Sequence, residues 1–75
     1  MMRNDQIKLL SWNANSIKNK SKLTEFVNFI HLNNYDIIGI NETKLDSNYQ
    51  LILPGYTCYR ADRNSAGGGV AILIK

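Results

Sequence analysis

The sequence predicts an α/β fold, and three observations predict it. Residues 7–12 form a short apolar run, Leu23, Phe26, Val27 and Ile30 recur at the period of one helix face, and residues 36–41 form a second apolar run. Strand, helix and strand within about 35 residues make a βαβ-like unit.

Each element follows from its residues. Ile7, Leu9, Leu10 and Trp12 favour a first strand, and Asn13-Ala14-Asn15-Ser16 is turn chemistry, because Asn and Ser bond to their own backbone and tolerate unusual dihedrals. Ser21 is the expected N-cap of the helix and Asn33-Asn34 its expected stop. The run Asp36-Ile37-Ile38-Gly39-Ile40-Asn41 is apolar on both faces, as a buried parallel strand is. Residues 43–54 read as a mostly polar connection closed by the turn signal Pro54-Gly55. Residues 56–60 are a third strand and residues 61–69 a polar, glycine-rich loop. Residues 70–74 read as a buried last strand with no turn or partner after it, so an unprotected sheet edge is expected there, and the chain is expected to be part of a larger domain.

Composition narrows the function classes. The chain has 75 residues and a formal net charge of +3, which permits nucleic-acid binding without requiring it. Its single cysteine, Cys58, allows no disulfide framework and fits a reducing compartment. The polar residues 1–5 and the broken run after them do not make a secretory signal, and no stretch approaches the ~20 apolar residues of a membrane span. A soluble, intracellular protein with no membrane partner is expected.

Two positions matter for where they fall. Asn13 ends the first strand and Glu42 follows the second. Parallel neighbours deliver their C-terminal ends to one edge, where open α/β sheets bind ligands. A carboxylate there suits Mg²⁺, which is held by one or two carboxylates together with waters and substrate phosphate. An adjacent amide can hold a phosphate without adding charge. On pattern alone the plainer alternative is favoured: Asn13 as a turn residue and Glu42 as a surface or helix-start carboxylate.

Lys44, two residues from Glu42, is the better phosphate candidate than the cluster Lys18, Lys20 and Lys22, which reads as a solvated helix start. Gly67-Gly68-Gly69 matches neither Gly-x-x-x-x-Gly-Lys-Ser/Thr nor Gly-x-Gly-x-x-Gly, so a hairpin or close backbone crossing is expected. His31 sits where it favours the helix dipole, Trp12 reads as core, and Tyr49, Tyr56 and Tyr59 as half-buried tyrosines.

These residues form a constellation with a family likeness. Leu10-Ser11-Trp12-Asn13-Ala14-Asn15-Ser16-Ile17 resembles the opening motif of the endonuclease/exonuclease/phosphatase (DNase I-like) superfamily. Asp36-Ile37-Ile38-Gly39-Ile40-Asn41-Glu42-Thr43-Lys44-Leu45 resembles its second motif, whose glutamate binds magnesium. Leu53-Pro54-Gly55-Tyr56, Tyr59-Arg60-Ala61-Asp62-Arg63 and Gly67-Gly68-Gly69-Val70-Ala71-Ile72 are similar to the endonuclease domains of jockey-like non-LTR retrotransposons.

The resemblance implies the N-terminal part of a four-layer α-β-β-α sandwich, with residues 1–75 a partial domain. It implies a Mg²⁺-dependent phosphodiesterase that nicks DNA for retrotransposon integration, working in the nucleus. Asn13 and Glu42 would be catalytic, Glu42 the metal ligand, and Asn15 and Lys44 would bind substrate. Apurinic endonucleases have an aspartate where this chain has Asn15. The family also uses a downstream tyrosine, an Asp-x-Asn and a Ser-Asp-His, which cannot be placed here, so the 75 residues are expected to be inactive alone. The alternatives are a repair endonuclease or phosphatase of the same superfamily, or a non-catalytic binding module or relic.

Overall fold

The computed structural model describes residues 6–46, 48–63 and 67–75. Residues 1–5, residue 47 of the 43–54 connection and residues 64–66 of the 61–69 loop lie outside the described residues. Strand β1 spans Leu9–Asn13, helix α1 Lys20–Asn33, β2 Ile37–Asn41, β3 Thr57–Ala61 and β4 Val70–Ile74. Among the described residues no helix is long and apolar enough to cross a membrane.

Helix α1 starts earlier than its serine suggests. Asn19, not Ser21, is the N-cap: its side-chain oxygen accepts the Lys22 N–H at 3.0 Å, and Ser21 lies inside the first turn. Asparagine caps at least as well as serine, and Asn19 stands where the chain is still extended. The stop is as expected: Asn34 adopts the left-handed conformation and its N–H returns to the Ile30 carbonyl at 2.8 Å. His31 lies in the last turn.

The four strands form one mixed sheet in the order β1-β2-β4-β3, with β1 parallel to β2 and the other pairs antiparallel. This corrects the expected open edge at residues 70–74. β4 runs antiparallel to both β3 and β2, so both its sides are paired and the sheet ends instead at β1 and β3.

One sheet face makes the core. Leu10, Ile38, Leu73 and Cys58 stand opposite one another in successive strands, as do Trp12, Ile40 and Ala71. Phe26 and Ile30 of α1 pack here, with the Phe26 and Trp12 rings stacked at 4.3 Å. Trp12 is half-buried, so it lines the core without being enclosed by it.

The other face carries Leu9, Tyr59, Val70, Ile72 and Ile74, all exposed. β4 is therefore buried on one face, not two, and its alternation reflects a sheet covered by α1 on one side. The 43–54 connection also differs from its polar reading, because Leu45, Leu51 and Leu53 enter the core. Their irregular spacing gives no strand or helix period to detect.

Candidate active site at the strand ends

The parallel pairing of β1 and β2 brings Asn13 opposite Asn41 and so beside Glu42. Beyond the strands the two connections stay stitched together. Ala14 N–H donates to the Asn41 carbonyl at 2.9 Å, Ser16 N–H to the Glu42 carbonyl at 2.8 Å, and Ile17 N–H to the Thr43 carbonyl at 3.2 Å. Asn15, Ser16, Glu42 and Lys44 all take positive φ, at 48°, 79°, 56° and 54°. For residues other than glycine such a conformation costs roughly 1–2 kcal/mol each, less for asparagine. This cluster of unfavourable dihedrals sits at one sheet edge.

The turns sort side chains inward and outward. Ala14, Ile17, Thr43 and Leu45 are buried, Asn13 and Asn15 exposed, Glu42 and Lys44 partly exposed. The Lys44 ammonium donates to the Asn15 side-chain oxygen at 2.7 Å. Asn15 is neutral, so it orients the lysine without cancelling its charge. The edge thus combines the Glu42 carboxylate, the amides of Asn13, Asn15 and Asn41, and a positioned cation.

The glycine-rich loop forms the third wall. Thr43 N–H donates to the Gly69 carbonyl at 3.2 Å and Lys44 N–H to the Gly68 carbonyl at 2.9 Å. Gly69 has φ of +86°, and a Cβ there would lie 2.6 Å from Thr43 Oγ1. The glycines therefore serve a close backbone crossing, as their failure to match a phosphate-loop pattern suggested. Thr43, which sequence reasoning did not single out, is fully buried, and its hydroxyl is without a hydrogen-bond partner. Thr43→Val keeps the shape and removes the unsatisfied group, so it should stabilise the chain by roughly 1 kcal/mol, read from a urea midpoint. A lower midpoint would show that the hydroxyl has a partner.

The lysines divide by role. Lys22 turns inward to backbone carbonyls, and Lys18 pairs with Asp46 at 3.2 Å. The Lys18 hydrogen bond, helped by the Asn48 N–H, holds the Asp46 carboxyl below its usual 3.8. A depressed carboxylate stabilises the fold above its unfolded pKa and loses that contribution as pH falls through the folded one. The Lys18–Asp46 pair is thus expected to weaken below about pH 4. Lys18→Met should move the Asp46 titration, followed by NMR, back toward the unperturbed value.

Arg60 was also missed. It binds the Asp62 carboxylate at 2.7 Å and the carbonyls of Tyr49 and Asp46 at 2.6 and 2.7 Å, tying the connection to β3. The Cys58 thiol is pushed up by burial, which makes it a poor nucleophile.

The sequence model of the Endonuclease/Exonuclease/phosphatase family matches residues 10–75. The chain belongs to the endonuclease/exonuclease/phosphatase family. It is 36% identical over 73 residues to the probable RNA-directed DNA polymerase from transposon BS of Drosophila melanogaster, covering 92% of this chain and 8% of that protein. The chain thus spans a small part of this curated relative.

Solved members of the family share its fold. A 3′ phosphatase from Neisseria, bound to product DNA hairpin, matches with a TM-score of 0.78 and 27% identity over 92% of this chain and 27% of its own. An AP endonuclease from Archaeoglobus fulgidus gives 0.74 and 26%, over the same shares. The catalytic domain of Xenopus laevis APE2 gives 0.71 and 28%, covering 23% of that chain. The mixed sheet and its helix are accordingly the DNase I-like arrangement of this family.

For a metal, this family member's own donors are few. Among the described residues no three of His, Cys, Asp and Glu gather. Glu42 is the anionic donor that the strand-end motifs supply, and the Asn15 oxygen is already engaged by Lys44. One carboxylate, with waters and a substrate phosphate, is a donor set that suits Mg²⁺.

Proposed function

We propose that this chain is the N-terminal part of a Mg²⁺-dependent phosphodiesterase domain that nicks DNA for retrotransposon integration, and that the 75 residues do not catalyse the reaction alone. The observation that carries the reading is the convergence of Asn13, Asn15, Glu42 and Lys44 on one sheet edge. The transposon polymerase relative and a family structure solved with DNA support it. By the same reading the partner is the DNA backbone and the place of work is the nucleus.

In this mechanism water attacks the phosphorus, a new P–O bond forms, the P–O3′ bond breaks, and the 3′-hydroxyl leaves at the nick. Glu42 would hold Mg²⁺, which would supply charge neutralisation at a phosphate oxygen. Asn13 donates an amide hydrogen bond to the scissile phosphate. Lys44, aimed by Asn15, attracts the backbone phosphate. The group that takes the water's proton, and the donors to the leaving oxygen, come from outside these residues in a complete domain. Catalytic groups that act as a unit fail together, which is why the chain alone is expected to be silent.

The exposed apolar face of the sheet supports the same reading. A second sheet of a four-layer sandwich would cover it. The AP endonuclease and 3′ phosphatase neighbours favour a second reading, a repair enzyme acting on damaged ends. Asn15, where apurinic endonucleases have aspartate, weighs against it.

The test is to sequence the reading frame past the Lys75 codon and assay both the 75-residue chain and any longer product with Mg²⁺. Supercoiled plasmid and abasic duplex are the two substrates. Nicked plasmid from the longer product only supports the proposal. Cleavage confined to abasic DNA supports the repair reading. Glu42-dependent nicking by the 75 residues overturns their inactivity, and a folded longer product that cuts neither substrate overturns the nuclease reading.

A further inference from the structure

We propose that Lys22 is a positioning residue: its ammonium holds the turn after β1 in the shape that presents Asn13 and Asn15 at the sheet edge. Lys22 Nζ donates to the Ala14 carbonyl at 2.7 Å, the Ser16 carbonyl at 3.2 Å and the Asn15 carbonyl at 3.3 Å. An ammonium has three donors and no acceptor, so three carbonyls saturate it. A lysine engaged in this way has no N–H left for a phosphate, which separates it from its sequence neighbours Lys18 and Lys20.

Three consecutive carbonyls meet one atom because the chain reverses between them. Asn15 and Ser16 have φ of 48° and 79°, which swings successive peptide dipoles toward a common point. Converging carbonyl oxygens repel, and a cation between them offsets that repulsion. The outward side of the turn is fixed separately, by the amide of Ala14 bonded to the last residue of β2 and those of Ser16 and Ile17 bonded to the backbone after it. The turn is therefore gripped from two sides, by β2 through its amides and by Lys22 through its carbonyls.

A second observation points the same way. Lys22 lies in the first turn of α1, which contains no acidic residue. A cation there opposes the helix dipole. The carbonyls of residues 14–16 explain a lysine at a position that the helix by itself disfavours.

The role in the turn stands on geometry alone, and only its bearing on catalysis rests on the nuclease reading. The test uses the ¹⁵N-labelled 75-residue chain, with Lys22→Met, Lys22→Arg and the control Lys20→Met. In the unsubstituted chain the Lys22 ammonium should give a slowly exchanging ¹⁵N–H₃ signal and Lys20 none. Absence of the Lys22 signal at low temperature overturns the proposal without any variant.

Lys22→Met should shift the Ser16 and Ile17 amides and the Asn13 and Asn15 side-chain signals, and speed amide exchange there roughly tenfold or more. Signals of Ile30 and Leu73 should stay in place. Lys22→Arg should not rescue, because a planar guanidinium does not reproduce three converging donors. Full rescue by arginine, or unchanged exchange in Lys22→Met, overturns the role. In a longer, nicking-competent product Lys22→Met should lower kcat roughly ten- to a hundredfold at unchanged KM. A raised KM at unchanged kcat identifies a phosphate contact and overturns it, whereas a product that never nicks fails the nuclease reading and leaves the NMR result to decide on Lys22.

Discussion

Glu42→Gln is expected to lower nicking by the longer product at least about a hundredfold while leaving the fold almost untouched. The substitution keeps the size and hydrogen-bonding reach of the side chain and removes only the charge. Residues 13–17 and 42–45, which follow the two strands to the shared edge, supply no second carboxylate, so metal affinity should fall with it; even outer partners of metal ligands are typically worth 10–100-fold. Because Glu42 is partly exposed, stability should change by no more than about 0.5 kcal/mol. The 75-residue chain offers an independent readout. Mn²⁺, used as a paramagnetic stand-in for Mg²⁺, should broaden the amide signals of Asn13, Asn15 and Glu42 and should not do so after Glu42→Gln. Broadening that persists would remove Glu42 from the metal site.

Glu42→Gly separates stability from chemistry at the same position. Glutamate at φ of 56° carries a backbone cost that glycine does not. The glycine variant should therefore match or exceed the parent in urea midpoint while losing the metal. That pair of outcomes would mark Glu42 as kept for function rather than for stability.

Gly69→Ala is the second large effect, and it acts on the fold. Alanine at φ of +86° is strained by roughly 1–2 kcal/mol. Its Cβ would stand 2.6 Å from Thr43 Oγ1, in a packed region where forced shifts cost about 1–3 kcal/mol. The sum, roughly 2–5 kcal/mol, is a large part of the ~4–11 kcal/mol that a chain of this length typically has. Denaturant unfolding measures it. Thr43→Ala in the Gly69→Ala background should recover the steric part and leave the strain, giving a coupling of about 1–3 kcal/mol. Strict additivity of the two substitutions would show that the crossing is looser than the distance implies.

Much of this was legible in the residues, for definite reasons. Leu23, Phe26, Val27 and Ile30 mark the buried side of α1 because a helix repeats every 3.6 residues, and Asn34 stops it because asparagine tolerates the left-handed conformation. The gathering of Asn13, Glu42 and Lys44 was readable because parallel neighbours end at a shared edge, whereas Asn15 was legible only through the family resemblance. Local pattern failed where partners are distant. Ser21 and Asn19 are both good caps, and only the position of the last extended residue chooses between them.

The place of β4 between β2 and β3 depends on the return path through residues 61–69, which no run of side chains encodes. Leu45, Leu51 and Leu53 enter the core from an irregular segment and carry no period. The pairing of Thr43 with Gly69 and the grip of Lys22 on three carbonyls exist only once two connections lie side by side. Neither leaves a local signature.

The strand order also sets a clock. β2 takes β1 on one side as soon as α1 has turned the chain back, but its other side is filled by β4, whose first residue follows the last residue of β2 only after residues 42–69. At translation rates of about 5–20 residues per second, those residues take roughly 1.5 to 6 s to make. For that interval the nascent chain carries a hydrophobic strand with one row of amides and carbonyls unfilled. A ribosome that slows within residues 42–69 prolongs the exposure, so synonymous codons there should influence how much of the protein is recovered folded.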